Sequence, residues 1–330
     1  MHGVLNFLKP PGMTSHDAVA FVRRTFNIKR VGHTGTLDPA AAGVLPICIG
    51  QATRLVEYLQ AGRKTYIAEI TFGIETDTLD ATGEVVSTSD ASHVHLENLR
   101  ATLDQFRGTI SQMPPMYSAI KRDGKKLYEL AREGVDEAEL DIQPRQVEIY
   151  SLVVPRDFAS STRTRAMLRI ECGSGTYIRS LVRDIGRALG CGATMSFLVR
   201  TQNGAFSIDE AHTPEEVLAQ GGNAVTPIQE ALRWCVRAPI EDDAATERLA
   251  KGQTTQAISI ERAWRNEYKG YEIDSDILGK LKTKAWRNGV DMNSKRAAFY
   301  HSDGKTLVLA SAVDETTYKS EKVFFLDRDE

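Results

Sequence analysis

The stretch Gly32-His33-Thr34-Gly35-Thr36-Leu37-Asp38-Pro39, running on to Gly43-Val44-Leu45-Pro46, concentrates residue types that chemistry needs. Glycines at 32, 35 and 43 open backbone angles closed to other residues and let a ligand approach the main chain. Pro39 fixes the backbone after Asp38 and restricts Asp38 itself to extended conformations. A single carboxylate on a preformed loop beside a histidine suits nucleophilic or acid–base catalysis. On residue types alone, an ordinary Asp-Pro turn with glycine filler is the commoner pattern.

Several elements must position this loop. Residues 3–8 read as a buried strand ended by Lys9-Pro10-Pro11-Gly12. Thr14 or Ser15 can cap a helix that shows Val19, Val22 and Phe26 on one face. Residues 32–43 carry no helical or strand period and read as a loop. Lys64–Gly73 alternates, with Tyr66, Ala68, Ile70 and Phe72 to one side and Glu69 and Thr71 to the other. Residues 165–172 alternate likewise, with Ala166, Leu168, Ile170 and Cys172 inward. Residues 176–189 then read as a helix. Tyr177, Leu181, Ile185 and Leu189 make its apolar stripe, and Arg179, Arg183 and Arg187 a basic one. The first 235 residues are therefore mixed α/β. A boundary is expected near Pro239, followed by a small β-rich region with strand-like 306–313 and 322–326; residues 264–292, with Trp264 and Trp286, suggest a helical insertion.

Composition narrows the function classes. At 330 residues, 42% apolar and 26% charged, the chain matches ordinary globular proteins. No run of 18 apolar residues and no signal-peptide pattern occurs, so a cytoplasmic protein without membrane contact is expected. Cys48, Cys172, Cys191 and Cys235 are scattered and read as small buried residues in a reducing compartment. His93 and His95 read as surface residues without a ligand pattern, and no metal site is expected. Net charge is −3, yet residues 1–65 hold eight Lys and Arg against three carboxylates, a local +5 compatible with phosphate contact.

Five segments together resemble the TruB family of tRNA pseudouridine synthases, in order and at matching distances: LNFLKPPGMTSHD (5–17), GHTGTLDPAAAGVLP (32–46), RKTYIAEITFGIETDTLDATG (63–83), MPPMYSAIKRDGKKLYELAREG (113–134) and GSGTYIRSLVRDIGRALGCGA (173–193). The similarity runs over about residues 3–235. It implies an α+β fold, a mixed and largely antiparallel sheet flanked by helices. It divides the chain into a catalytic domain over 1–238 and a C-terminal region over 239–330, in which KGQTTQ (251–256) is faintly similar to a PUA-type RNA-binding domain.

The resemblance also implies roles. Asp38 acts as nucleophile or base at the glycosidic carbon, Tyr66 stacks on the target base and helps remove the C5 proton, and Arg179 pairs with Asp38. His33 fills the space left by the flipped uridine, Leu198 lines the base pocket, and Tyr177 is a further candidate for substrate or RNA binding. Lys9 and Lys64 are candidate RNA contacts. Lys121, Lys125 and Lys126, beside Tyr117 and Tyr128, suit a basic, aromatic flap over a folded RNA arm, although a solvated amphipathic helix has the same pattern. The expected reaction converts uridine 55 of the tRNA T-arm to pseudouridine by base flipping, with no cofactor, no obligate protein partner and a monomeric chain. The alternative is an RNA-binding or tRNA-folding protein on the same scaffold, with or without catalysis. A zinc nucleobase deaminase also flips bases, but its His-x-Glu and Pro-Cys-x-x-Cys signatures do not occur. Guide-dependent relatives typically carry extensions, so a stand-alone enzyme is expected.

Overall fold

The computed structural model describes every residue except 119, 123, 136–139, 141, 156–163, 233–234, 238–242, 257–295, 315–316 and 328–330. The expected boundary at Pro239 and the 264–292 stretch lie outside the described residues.

The chain begins with β1 (Gly3–Lys9), α1 (Ser15–Phe26), β2 (Val31–His33), β3 (Ala42–Ile49), α2 (Val56–Ala61) and β4 (Lys64–Phe72). A hairpin of β5 (Ile74–Thr76) and β6 (Val85–Thr88) leads to α3 (Leu96–Leu103) and β7 (Gly108–Gln112). Next come β8 (Lys121–Arg122), β9 (Lys125–Lys126) and α4 (Leu127–Arg132), then β10 (Arg145–Val153) and β11 (Arg165–Cys172). Helix α5 (Ile178–Ala188) precedes β12 (Ala193–Asn203), β13 (Phe206–Ser207), α6 (Pro214–Gln220), β14 (Val225–Pro227) and α7 (Ile228–Ala231). The last part holds β15 (Val236–Arg237), α8 (Asp243–Ala250), β16 (Thr254–Gln256), β17 (Arg296–Tyr300), β18 (Thr306–Ala312) and β19 (Thr317–Phe325).

Ten strands form one sheet with path β14-β1-β3-β12-β4-β11-β10-β7, to which β13 and β2 add. Within it only the β12–β3 pair is parallel, and the rest are antiparallel. This is the mixed, largely antiparallel sheet expected. Alternation along β4 buries Tyr66, Ala68, Ile70 and Phe72 on the face that α1, α3 and α5 cover. Helix α1 starts where Thr14 and Asp17 form a reciprocal capping box and ends at left-handed Asn27. The expected loop is shorter than its composition suggested: His33 ends β2 and Ala42 begins β3, so residues 34–41 carry the turn.

Val236–Arg237 already belongs to the second sheet, whose order is β15-β17-β18-β19-β16. The β-rich C-terminal part is not a loosely tethered bead. Ala298, Leu307, Leu309 and Phe324 share one apolar cluster with Val4, Val44, Cys48 and Leu55 from the N-terminal part of the chain. Gln51 Nε2 also donates to the Phe325 carbonyl at 2.8 Å. All four cysteines are buried, and none of them forms a disulfide. No described helix is long and apolar enough to cross a membrane.

Candidate active site

Asp38 sits where the Leu37–Ala41 turn faces the first turn of α5. Its carboxylate meets Arg179 side-on, with Nε at 2.8 Å from Oδ2 and Nη2 at 3.1 Å from Oδ1. Such a two-point ion pair fixes direction as well as distance. The arginine side chain is 7% exposed and the Asp38 side chain 32%, so the cation is sealed while the carboxylate keeps an open side. Arg179 is held from elsewhere too. Nη1 donates to the Thr78 carbonyl at 3.0 Å, Nη2 to the Tyr117 carbonyl at 3.0 Å, and Asp80 Oδ2 lies 3.9 Å from Nε. It is therefore not one more solvated helix arginine. Its helix neighbour Arg183 is buried as well, and the expected basic stripe reaches solvent at Arg187.

Strand β12 supplies the floor. Arg200, 1% exposed, donates Nε to the Val44 carbonyl at 2.7 Å, Nη2 to Gly35 at 3.1 Å and Nη1 to Thr36 at 3.4 Å. Asn203 Nδ2 reaches Thr34 Oγ1 at 3.1 Å. From the other side Ser15 Oγ accepts the Leu37 N–H at 2.9 Å and donates to the Leu37 carbonyl at 3.1 Å. Gly43 is indispensable: its φ is +116°, and a Cβ there would stand 2.2 Å from the Arg200 carbonyl oxygen.

Tyr66 lies opposite Arg200 in the β4–β12 register and is almost wholly buried. Burial pushes its hydroxyl up, against the pull of the hydrogen-bonded Arg200 guanidinium. Leu198, two residues along β12 and buried, pairs with Ala68. Tyr177 stands immediately before α5. Burial raises its hydroxyl, with the Ser118 hydroxyl opposing. His33 accepts the Gly35 N–H at Nδ1 (3.2 Å) and packs edge-on to His16; burial first, then His16 and Arg200, pull it down to about 4. Asp38, Arg179, Tyr66, Tyr177, Leu198 and His33 thus lie on the loop and on the elements packed against it.

Two expected RNA contacts take another part. Lys9 is fully buried, and its ammonium donates to the carbonyls of Pro10 (2.9 Å), Met13 (2.7 Å) and Pro39 (3.3 Å). Lys64, 7% exposed, donates to Gln60 (2.7 Å) and Gly62 (2.9 Å). Burial brings both down to about 8. Main-chain carbonyls claim both ammoniums, so neither offers phosphate an exposed donor. Lys121 and Lys126 pair in the two-stranded β8–β9 hairpin, and Lys125 is exposed and paired with Glu133 at 2.8 Å.

Composition did not single out Arg200, Asn203, Asp80 or Gln112. For Arg200 a signal existed: a cation ending the apolar run TMSFLVR is costly unless something in the fold needs it. Among the described residues no group of three acidic, His or Cys side chains has metal-binding geometry.

The TruB family pseudouridylate synthase N-terminal domain matches residues 23–178, and the tRNA pseudouridylate synthase B C-terminal domain matches 179–242. Over 247 residues the chain is 51% identical to tRNA pseudouridine synthase B of Symbiobacterium thermophilum, covering 75% of this chain and 81% of that one. The chain belongs to the TruB family. It is a pseudouridine synthase, an isomerase. A second TruB relative, tRNA pseudouridine synthase B of Alkaliphilus oremlandii, is 52% identical over 219 residues, or 66% of this chain and 71% of the other. In fold the chain is similar to a chain of a Cbf5-Nop10-Gar1 complex, with a TM-score of 0.66 at 24% identity over 98% of this chain and 85% of that one.

Proposed function

We propose that this TruB chain converts uridine 55 in the T-arm of tRNA to pseudouridine, by base flipping and by cleavage and re-formation of the glycosidic link at Asp38. The observation that carries this reading is the two-point Arg179–Asp38 pair, sealed on the arginine side and open on the carboxylate side. The two relatives named as tRNA pseudouridine synthase B support tRNA as the substrate.

The chemistry is an internal rearrangement. The N1–C1′ bond breaks, the uracil turns without leaving, C5–C1′ forms, C5 loses its proton and N1 gains one. A stacked uridine is out of reach, so it must leave the stack, at a cost of a few kcal/mol that pocket contacts offset. Asp38 then either bonds covalently or stabilises positive charge at C1′. Arg179 holds it aimed. Tyr66 offers a ring for the base and a hydroxyl for the C5 proton, while Leu198 and Tyr177 wall the pocket and His33 fills the vacated stack. The flap over 113–134 presents Lys125 to the RNA arm, and the C-terminal sheet acts as an accessory, PUA-type RNA-binding module within a monomeric, cytoplasmic enzyme.

Mapping pseudouridine in an unmodified tRNA transcript incubated with the purified chain tests the reading. One pseudouridine at position 55 is expected; modification elsewhere, or none, overturns it.

A further inference from the structure

Between Gln112 and Tyr117 the chain leaves the sheet edge and enters the flap, and it is fastened to the first turns of α5 along the way. The Gln112 carboxamide, 1% exposed, lies along the Tyr177 main chain. Its Nε2 donates to the Tyr177 carbonyl at 3.0 Å, and the Tyr177 N–H donates to its Oε1 at 2.8 Å. Helix α5 has no side-chain cap of its own, so this carboxamide satisfies a main-chain group that the helix start leaves free. One residue on, the Met113 carbonyl accepts from Ser180 Oγ at 2.8 Å and from Arg183 Nη2 at 3.5 Å. At Tyr117 the carbonyl accepts from Arg179 Nη2. That same nitrogen donates to Asp38 Oδ1.

We propose that Gln112 is a positioning residue, which sets the Arg179 guanidinium, and through it Asp38, by locking the flap root to the start of α5. The inference rests on the reading that Asp38 carries the isomerisation. One nitrogen shared between a flap carbonyl and the carboxylate passes a displacement of either to the other. Both atoms of the carboxamide are needed, one to accept and one to donate, and Gln112 supplies them without a charge that competes with Arg179.

The test uses the full chain and a tRNA transcript, with single-turnover rate at saturating enzyme, tRNA affinity and melting temperature read for each variant. Gln112→Met keeps length and loses both hydrogen bonds. Its rate should fall about 10- to 100-fold, the scale of a roughly 1 Å misplacement, while tRNA affinity stays within about twofold. Gln112→Glu adds a signature that packing alone does not give. A protonated carboxyl can donate to the Tyr177 carbonyl and accept its N–H, whereas a carboxylate can only accept. The rate of Gln112→Glu relative to the unaltered chain should therefore rise as pH falls. A wild-type rate in folded Gln112→Met, a loss confined to affinity, or a flat Gln112→Glu ratio across pH each overturns the proposal. If Gln112→Met does not fold, the Gln112→Glu profile decides alone. Failure of the underlying reading looks different, because Asp38→Asn then keeps its turnover whatever the Gln112 variants do.

Discussion

On the proposed function two segments of this chain meet RNA, and they are built in opposite ways. Around the Asp38 turn, the main chain from Thr34 to Val44 is tied down by buried groups: Arg200, Asn203, Ser15 and Lys9 between them engage Thr34, Gly35, Thr36, Leu37, Pro39 and Val44. The flap is fastened at its root, but beyond Ser118 it consists of a hairpin of two-residue strands and a one-and-a-half-turn helix, with exposed charge on Lys125 and Glu133. A reacting carboxylate must hold position to a fraction of an ångström, so buried cations are invested there despite their desolvation cost. On the proposed function, a surface that meets a folded RNA needs exposed charge instead, so that rate and affinity fall to separate segments.

That division can be broken or sharpened by substitution. Tyr66→Phe keeps the ring and loses the hydroxyl, and should slow single turnover about 100-fold with little change in affinity; a wild-type rate would leave Tyr66 with packing alone. Arg200→Met strips the donor from the loop carbonyls of Gly35 and Thr36 and from the Val44 carbonyl of β3. We expect a rate about 10- to 100-fold lower and a reduced melting temperature, since each abandoned buried acceptor costs about 1–3 kcal/mol. Lys125→Ala should weaken tRNA binding a few-fold, reduce the salt slope of log affinity by about 1, and spare the single-turnover rate; a lost rate would merge the two segments into one. The smallest effect concerns pH. His33 is held down at about 4 in the fold, whereas the unfolded chain protonates near 6.5. The unfolded state thus binds more protons between these values, and stability, intact above about 6.5, declines as pH falls toward 4. His33→Gln should flatten that acid limb of melting temperature by a few degrees, checked by thermal unfolding from pH 7 to 4.

Much of this was legible in the sequence, because alternation and capping are local. The period-two pattern of 64–73 and 165–172 located β4 and β11, and Thr14 marked the start of α1. The resemblance then supplied Asp38, Tyr66 and Arg179, which the fold brings together. What stayed hidden depends on which way side chains turn and on contacts between distant segments. Lys9 and Lys64 look like phosphate ligands in a basic N-terminal stretch, but both turn inward and spend their ammoniums on carbonyls mostly within four residues of themselves, which residue types do not signal. Gln112 carries no signal at all, since its partner is 65 residues away. The C-terminal strands read as a separate β-rich region because an apolar cluster shared with β1 and β3 leaves no local pattern.

The central claim is that Asp38, aimed by Arg179, is the group on which isomerisation depends. Asp38→Asn tests it most directly, because the amide is nearly isosteric and can be neither nucleophile nor base. The measurement pairs pseudouridine formed in a single turnover on a tRNA transcript with the affinity of the same variant for that transcript. The account predicts no detectable pseudouridine and an affinity within about threefold of the unaltered chain. Turnover above a few percent of the unaltered rate in Asp38→Asn would contradict it.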